Sequence, residues 1–132
     1  MAESGNRAER LLAVDDSVDT AELVARVAAR CGYEARSVSD ARKLDDLVVD
    51  WQPEVLTLDL CMPEGDGIGL LSRLRDARFA GHLIIISGQD GWLRKAAGRV
   101  AAGRGLKIAD DLAKPIDLKA LRALLTRLHP AH

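Results

Sequence analysis

Short apolar runs that stop abruptly at acidic or hydroxyl residues constrain this chain more than any other feature. Leu11-Leu12-Ala13-Val14 stops at Asp15-Asp16-Ser17, Val55-Leu56-Thr57-Leu58 stops at Asp59, and Leu83-Ile84-Ile85-Ile86 stops at Ser87-Gly88. Each run is bounded like a strand and lacks the alternation of a half-exposed one, so each reads as a strand buried on both faces. Tyr33 to Val38 reads as a further, shorter strand, and a fifth falls between Leu106 and Ala113.

The intervening segments carry apolar residues at helical spacing. Val18, Ala21, Val24, Ala25 and Ala28 form one stripe up to Cys31-Gly32, where the glycine can stop a helix. Asp40 can cap a second helix bearing Leu44, Leu47 and Val48, which Pro53 ends. A Pro- and Gly-rich loop precedes a third with Ile68, Leu70, Leu71 and Leu74. A fourth carries Leu93, Ala96, Ala97, Val100 and Ala101 and runs to Gly103-Arg104-Gly105; a last one carries Leu118, Leu121, Leu124, Leu125 and Leu128. Strict alternation of five strands with five helices predicts an α/β fold: a parallel sheet with right-handed crossovers and helices on both faces. Ligands of such sheets bind beyond the carboxyl ends of the strands.

That rule directs attention to the residues at the strand ends. Asp15, Asp16, Asp59, Ser87 and Lys114 all fall there, and a parallel sheet would gather them on one edge. Converging carboxylates repel and resist ionising unless a cation compensates. Oxygen ligands suit Mg2+ better than zinc, for which clustered His and Cys are lacking. Singly, Asp15 or Asp16 could be a helix cap, Ser87 a turn residue and Lys114 a surface lysine. Asp59 closes a buried strand and needs a partner to offset its desolvation. Together they suit phosphoryl transfer to an aspartate: Asp59 attacks, Mg2+ and Lys114 neutralise the phosphoryl oxygens, and Ser87 donates to one of them.

At 132 residues the chain is the size of one domain, and acidic and basic residues nearly cancel to a formal charge of −1. With only 3% aromatic residues, it lacks the basic field and stacking platforms that would favour nucleic acid. Neither a membrane span nor a leader is legible, and Cys31 and Cys61 form no framework, so a reducing, cytoplasmic setting is expected. His82, His129 and His132 are scattered, and none is placed as a phosphoryl donor. Trp51 and Trp92 read as helix-end covers or partner anchors, and Cys61 as a packing residue rather than a redox sensor.

Taken together, Val14-Asp15-Asp16, residues 58–63, Gly65-Asp66-Gly67, Ile86-Ser87-Gly88 and Lys114-Pro115 resemble a response-regulator receiver (CheY-like) domain from Arg10 to Leu128. The separations agree, 59 − 16 = 43 and 87 − 59 = 28. The resemblance implies a flavodoxin-like doubly wound sheet of order 2-1-3-4-5 with five helices. The receiver would span residues 10–129 behind a polar tail, residues 1–9. It further implies that Asp59 is the phosphoacceptor, that Asp15, Asp16, Asp59 and the Cys61 carbonyl hold Mg2+, that Ser87 and Lys114 contact the phosphoryl group, and that Pro115 follows a cis bond. The implied partners are a sensor histidine kinase or phosphotransfer protein and an output protein or domain, or a second copy. The implied role is signalling rather than enzymatic turnover.

Two features depart from the common pattern. Ser87 to Lys114 spans 114 − 87 = 27 residues, and its form resembles receivers found with cyclic-di-GMP phosphodiesterase (EAL) proteins. Asp111 stands where many receivers carry a Tyr or Phe that moves on phosphorylation. Two other readings compete: a phosphate-independent pseudo-receiver scaffold, and a haloacid-dehalogenase-like phosphatase, which would want a second acid where Cys61 stands.

Overall fold

A computed structural model describes residues 9–60, 67–88 and 91–129, with the side chains of residues 67, 68 and 91–94 outside the description. Five strands alternate with five helices: β1 Arg10–Val14, α1 Val18–Arg30, β2 Glu34–Val38, α2 Leu44–Trp51, β3 Val55–Asp59, α3 Gly67–Asp76, β4 His82–Ser87, α4 Gly91–Gly103, β5 Lys107–Ala113 and α5 Leu118–Leu128. All strand pairings are parallel, and the order is β2-β1-β3-β4-β5. The order reverses between β1 and β3, which makes the crevice beyond their carboxyl ends the expected site.

Period-2 alternation sorts the strand residues between two cores. Leu12, Val14, Leu56, Leu58, Leu83 and Ile85 pack with α2, α3 and α4, while Leu11, Ala13, Val55, Ile84 and Ile86 pack with α1 and α5. β1, β3 and β4 are covered on both faces, which is why their sequences are continuous apolar runs. β2 and β5 are the outer strands and are part-exposed. β5 carries a bulge: Leu83 faces Ile108, but Ile84 faces Asp110.

One device recurs where helices α1, α3 and α4 turn into strands. The residue after the helix cap is left-handed: Gly32 (φ 98°), Arg78 (φ 64°) and Gly105 (φ 79°). The next residue, Tyr33, Phe79 or Leu106, donates its N–H back to the carbonyl of Ala28, Leu74 or Ala101 at 3.1, 3.0 and 3.0 Å and buries its side chain. This double closure satisfies carbonyls that the helix would otherwise leave open. After α2, Gln52 (φ 55°) is also left-handed and bonds back to Val48. At the helix starts, Ser17 rather than Asp15 or Asp16 caps α1, through Thr20 N–H, and Asp117 caps α5. Asp40 caps a 3-10 turn, Ala41–Lys43, that leads into α2, so the expected cap falls one short turn earlier than the α-helix itself.

Candidate functional site

β1, β3 and β5 deliver their end residues to one edge because their registers are locked further down the sheet. Ala13 faces Thr57 and Val14 faces Leu58, so Asp15 and Asp59 follow side by side. Asp15 N–H donates to Val38 O at 3.1 Å, and its Oδ1 accepts Ser17 N–H at 2.9 Å. Asp59 is 1% exposed and faces Ile86 of β4. Ser87 is fully buried, with its hydroxyl donating to Gly88 O at 3.3 Å. Lys114 N–H donates to Ser87 O at 2.8 Å, tying the hydroxyl and the ammonium to one backbone joint. The Lys114–Pro115 bond is cis.

The Lys114 ammonium lies between two acids, 3.2 Å from Asp59 Oδ2 and 3.0 Å from Asp15 Oδ2. The contact with Asp59 is a hydrogen bond. The nearer approach to Asp15 Oδ2 is electrostatic only: that atom is buried and accepts no hydrogen bond, while Oδ1 takes a longer one at 3.4 Å. Asp16 is exposed, and one carboxylate oxygen from each of Asp15, Asp16 and Asp59 lies within 4.8 Å of the other two. Two of these three carboxylates share the Lys114 ammonium, and like charges gathered this closely oppose one another's ionisation.

The electrostatics register both the burial and the crowding. Burial pushes the Asp15 carboxyl above its ordinary range, the Asp59 charge adds to the rise, and Ser17 N–H and Lys114 oppose it. Burial pulls Lys114 down, but hydrogen bonds and charge attraction from Asp15 and Asp59 together outweigh it and hold the ammonium above its ordinary value. An orphaned, buried carboxylate oxygen amid hard oxygen donors fits Mg2+, and zinc poorly. The sequence placed all five residues on this edge, but no sequence signal showed that Lys114 would bridge Asp15 and Asp59.

The remaining candidates lie elsewhere. Cys61, whose carbonyl was expected to complete the metal ligands, is outside the described residues, as are His132 and the Trp92 side chain. Trp51 is buried at the end of α2, its ring flanked by the guanidinium groups of Arg36 at 4.7 Å and Arg10 at 5.5 Å. Asp111 is exposed on β5 opposite Ile85. His82 is exposed at the start of β4, while His129 is buried, its Nε2 3.2 Å from Gly32 O and its ring edge-on to Tyr33. A cleft of about 670 Å³, lined in part by Glu9, Val49, Pro53, Phe79 and Leu128, opens at the opposite end of the sheet from the acids. No helix among the described residues is long and apolar enough to cross a membrane.

A doubly wound parallel sheet of order 2-1-3-4-5 with an acid cluster at its switch point defines a flavodoxin-like α/β protein. Residues 11–126 match the family model described as response regulator receiver domain, and the chain belongs to that family. The family is a signalling one whose members take a phosphoryl group on an aspartate, generally with Mg2+ at an acidic pocket. The response regulator MprA of Mycolicibacterium vanbaalenii is 32% identical over 126 residues, covering 92% of this chain and 52% of its own length. The DNA-binding transcriptional regulator NtrC of Azospirillum brasilense is 30% identical over 120 residues, covering 91% of this chain and 24% of its own. The chain therefore spans about half, or less, of these relatives. Among solved structures, a response regulator from Colwellia psychrerythraea superposes with a TM-score of 0.81 at 28% identity over 92% of this chain and 97% of that one. The Vibrio cholerae chemotaxis response regulator CheY4 shares the fold, with a TM-score of 0.76 at 22% identity over 92% and 99%.

Proposed function

We propose that Asp59 is the phosphoacceptor of this receiver and that Asp15, Asp16 and Asp59 hold Mg2+, with the Cys61 carbonyl as a further ligand. The observation that carries the reading is the Lys114 ammonium set between two buried acids, one of which keeps an oxygen without a hydrogen bond. Bound there, Mg2+ would supply positive charge for the phosphoryl oxygens. An Asp59 oxygen forms the new P–O bond as the donor's P–N bond breaks, and the electron pair stays on the leaving imidazole. Lys114 would neutralise one phosphoryl oxygen. Ser87 would turn its hydroxyl from Gly88 O toward another.

The donor is a sensor histidine kinase or a phosphotransfer protein, the setting is the cytoplasm, and the signalling unit runs over residues 10–129. The likeness to receivers found with EAL proteins rests on the form of the segment from Ser87 to Ile116. Output is read by a protein, a further domain or a second copy through movement of the Ser87 to Lys114 segment. The exposed Asp111 takes no aromatic's part in that movement, since carrying its charge toward a phosphorylated site would cost electrostatic energy.

Intact-mass measurement after incubation with acetyl phosphate and Mg2+ tests the assignment. One labile phosphoryl group is expected on the parent and none on Asp59→Asn. Equal labelling of the variant would remove Asp59 from the role, and an unlabelled parent would favour the pseudo-receiver scaffold.

A further inference from the structure

The two outer strands of the sheet treat their open edges differently. β5 is bulged and carries the adjacent exposed acids Asp110 and Asp111, so antiparallel self-pairing there would set acid near acid. β2 is unbulged along its pairing with β1, and its exposed charges alternate in sign: Glu34, then Arg36.

Glu34 N–H points to Glu9 O, and Val38 O accepts Asp15 N–H, so residues 34, 36 and 38 direct their backbone groups toward β1. By alternation Ala35 and Ser37 direct theirs outward, and no backbone group of another element reaches them among the described residues. From this edge we infer that β2 pairs antiparallel with β2 of a second copy, about a two-fold axis at Ala35.

Charge selects the register. With the axis at Ala35, Glu34 of each copy stands opposite Arg36 of the other, in the closely spaced positions where side chains meet. An axis at Arg36 would set Arg36 against itself, and an axis at Ser37 would set Glu34 against Asp40. Ala35 then exchanges both main-chain bonds with its mate, and Ser37 N–H reaches Tyr33 O; Tyr33 N–H is already given to Ala28. Glu34 is half exposed beyond its 3.4 Å pairing with Arg10, and Arg36 lies over Trp51, so both side chains are held near the edge. Isologous pairing of this kind closes at two copies. A pairing confined to one strand edge would be smaller than a standard interface, and association is expected at concentrations on the order of 0.1–1 mM.

Sedimentation equilibrium of the 132-residue chain, up to about millimolar, tests this with three substitutions. Ala35→Pro removes an outward N–H and leaves those facing β1, so it should weaken association at least roughly tenfold. Glu34→Arg sets like charges opposite and should weaken it roughly tenfold, and adding Arg36→Glu should restore it to within about threefold. Thermal melts establish that each variant is folded, and Glu34→Gln replaces Glu34→Arg if the latter is not. A parent that stays monomeric overturns the inference. So does association indifferent to Ala35→Pro, or a charge swap that fails to restore what the single reversal lost.

Discussion

The two ends of the sheet solve opposite problems. At the amino end, the turns after α1, α3 and α4 share one closure, with a left-handed residue and a buried apolar residue returning its N–H to the helix. At the carboxyl end stand Asp15, Asp59, Ser87 and Lys114, buried or part-buried, with the Lys114 ammonium set between two acids. The repeated closure satisfies backbone groups at one end of the sheet, while ionisable side chains crowd together at the other. The acid end tolerates electrostatic strain because the amino end and the two cores hold the strand registers fixed.

If that division holds, the largest loss should come from the amino end. A Cβ at Gly81 would sit 2.2 Å from Glu54 O, the same oxygen that accepts His82 N–H. Backbone must move, so Gly81→Ala should destabilise by about 2–3 kcal/mol in urea unfolding. A parent-like midpoint would show that the β3–β4 entry is looser than its contacts imply.

The acid end should respond in the opposite direction. Asp15→Asn keeps an acceptor for Ser17 N–H and removes a buried charge, so in chelator at neutral pH it should stabilise on the order of 1 kcal/mol. Because Asp15 has its folded pKa raised by burial, its contribution favours folding fully below the ordinary carboxylate range and is lost as pH rises through the raised value. The advantage of the variant should therefore shrink as pH falls. Mg2+ at ten times its dissociation constant should add about 1.4 kcal/mol to the parent, and less to the variant. A variant that melts lower in chelator would mean that Lys114 already compensates Asp15 in full.

The smallest effect sharpens the account of the repeated turn. Arg78 occupies the position that Gly32 and Gly105 hold in the other two closures, at φ 64°. Arg78→Gly should gain about 0.5–1 kcal/mol in the same unfolding assay, by relieving the left-handed strain of a residue with a Cβ. No gain would show that the Arg78 side chain repays its strain through contacts of its own.

These residues also explain what could be read from the sequence. The stops at Gly32 and near Gly105 were legible because glycine advertises a left-handed position. Gln52 and Arg78 adopt the same conformation without a residue that signals it, and the bulge at Ala109 has no local signature. The acid edge was legible because burial of a whole strand leaves a terminal acid conspicuous. The shared Lys114 was not, since a lysine's reach depends on the backbone joint with Ser87, which only the folded sheet forms. His129 also escaped notice as a core residue; its seat exists because Gly32 has no Cβ, which would lie 3.0 Å from Nε2.

Glu9 and Leu128 line one cleft, so the first strand is entered and the last helix left at the same end of the molecule. Chain order is therefore nearly independent of architecture. A short linker could join residue 9 to residue 129, and new ends could open in another connection, with every strand pair kept. Such a circular permutant would carry its acid edge unaltered, because that edge lies at the far end of the strands from the splice.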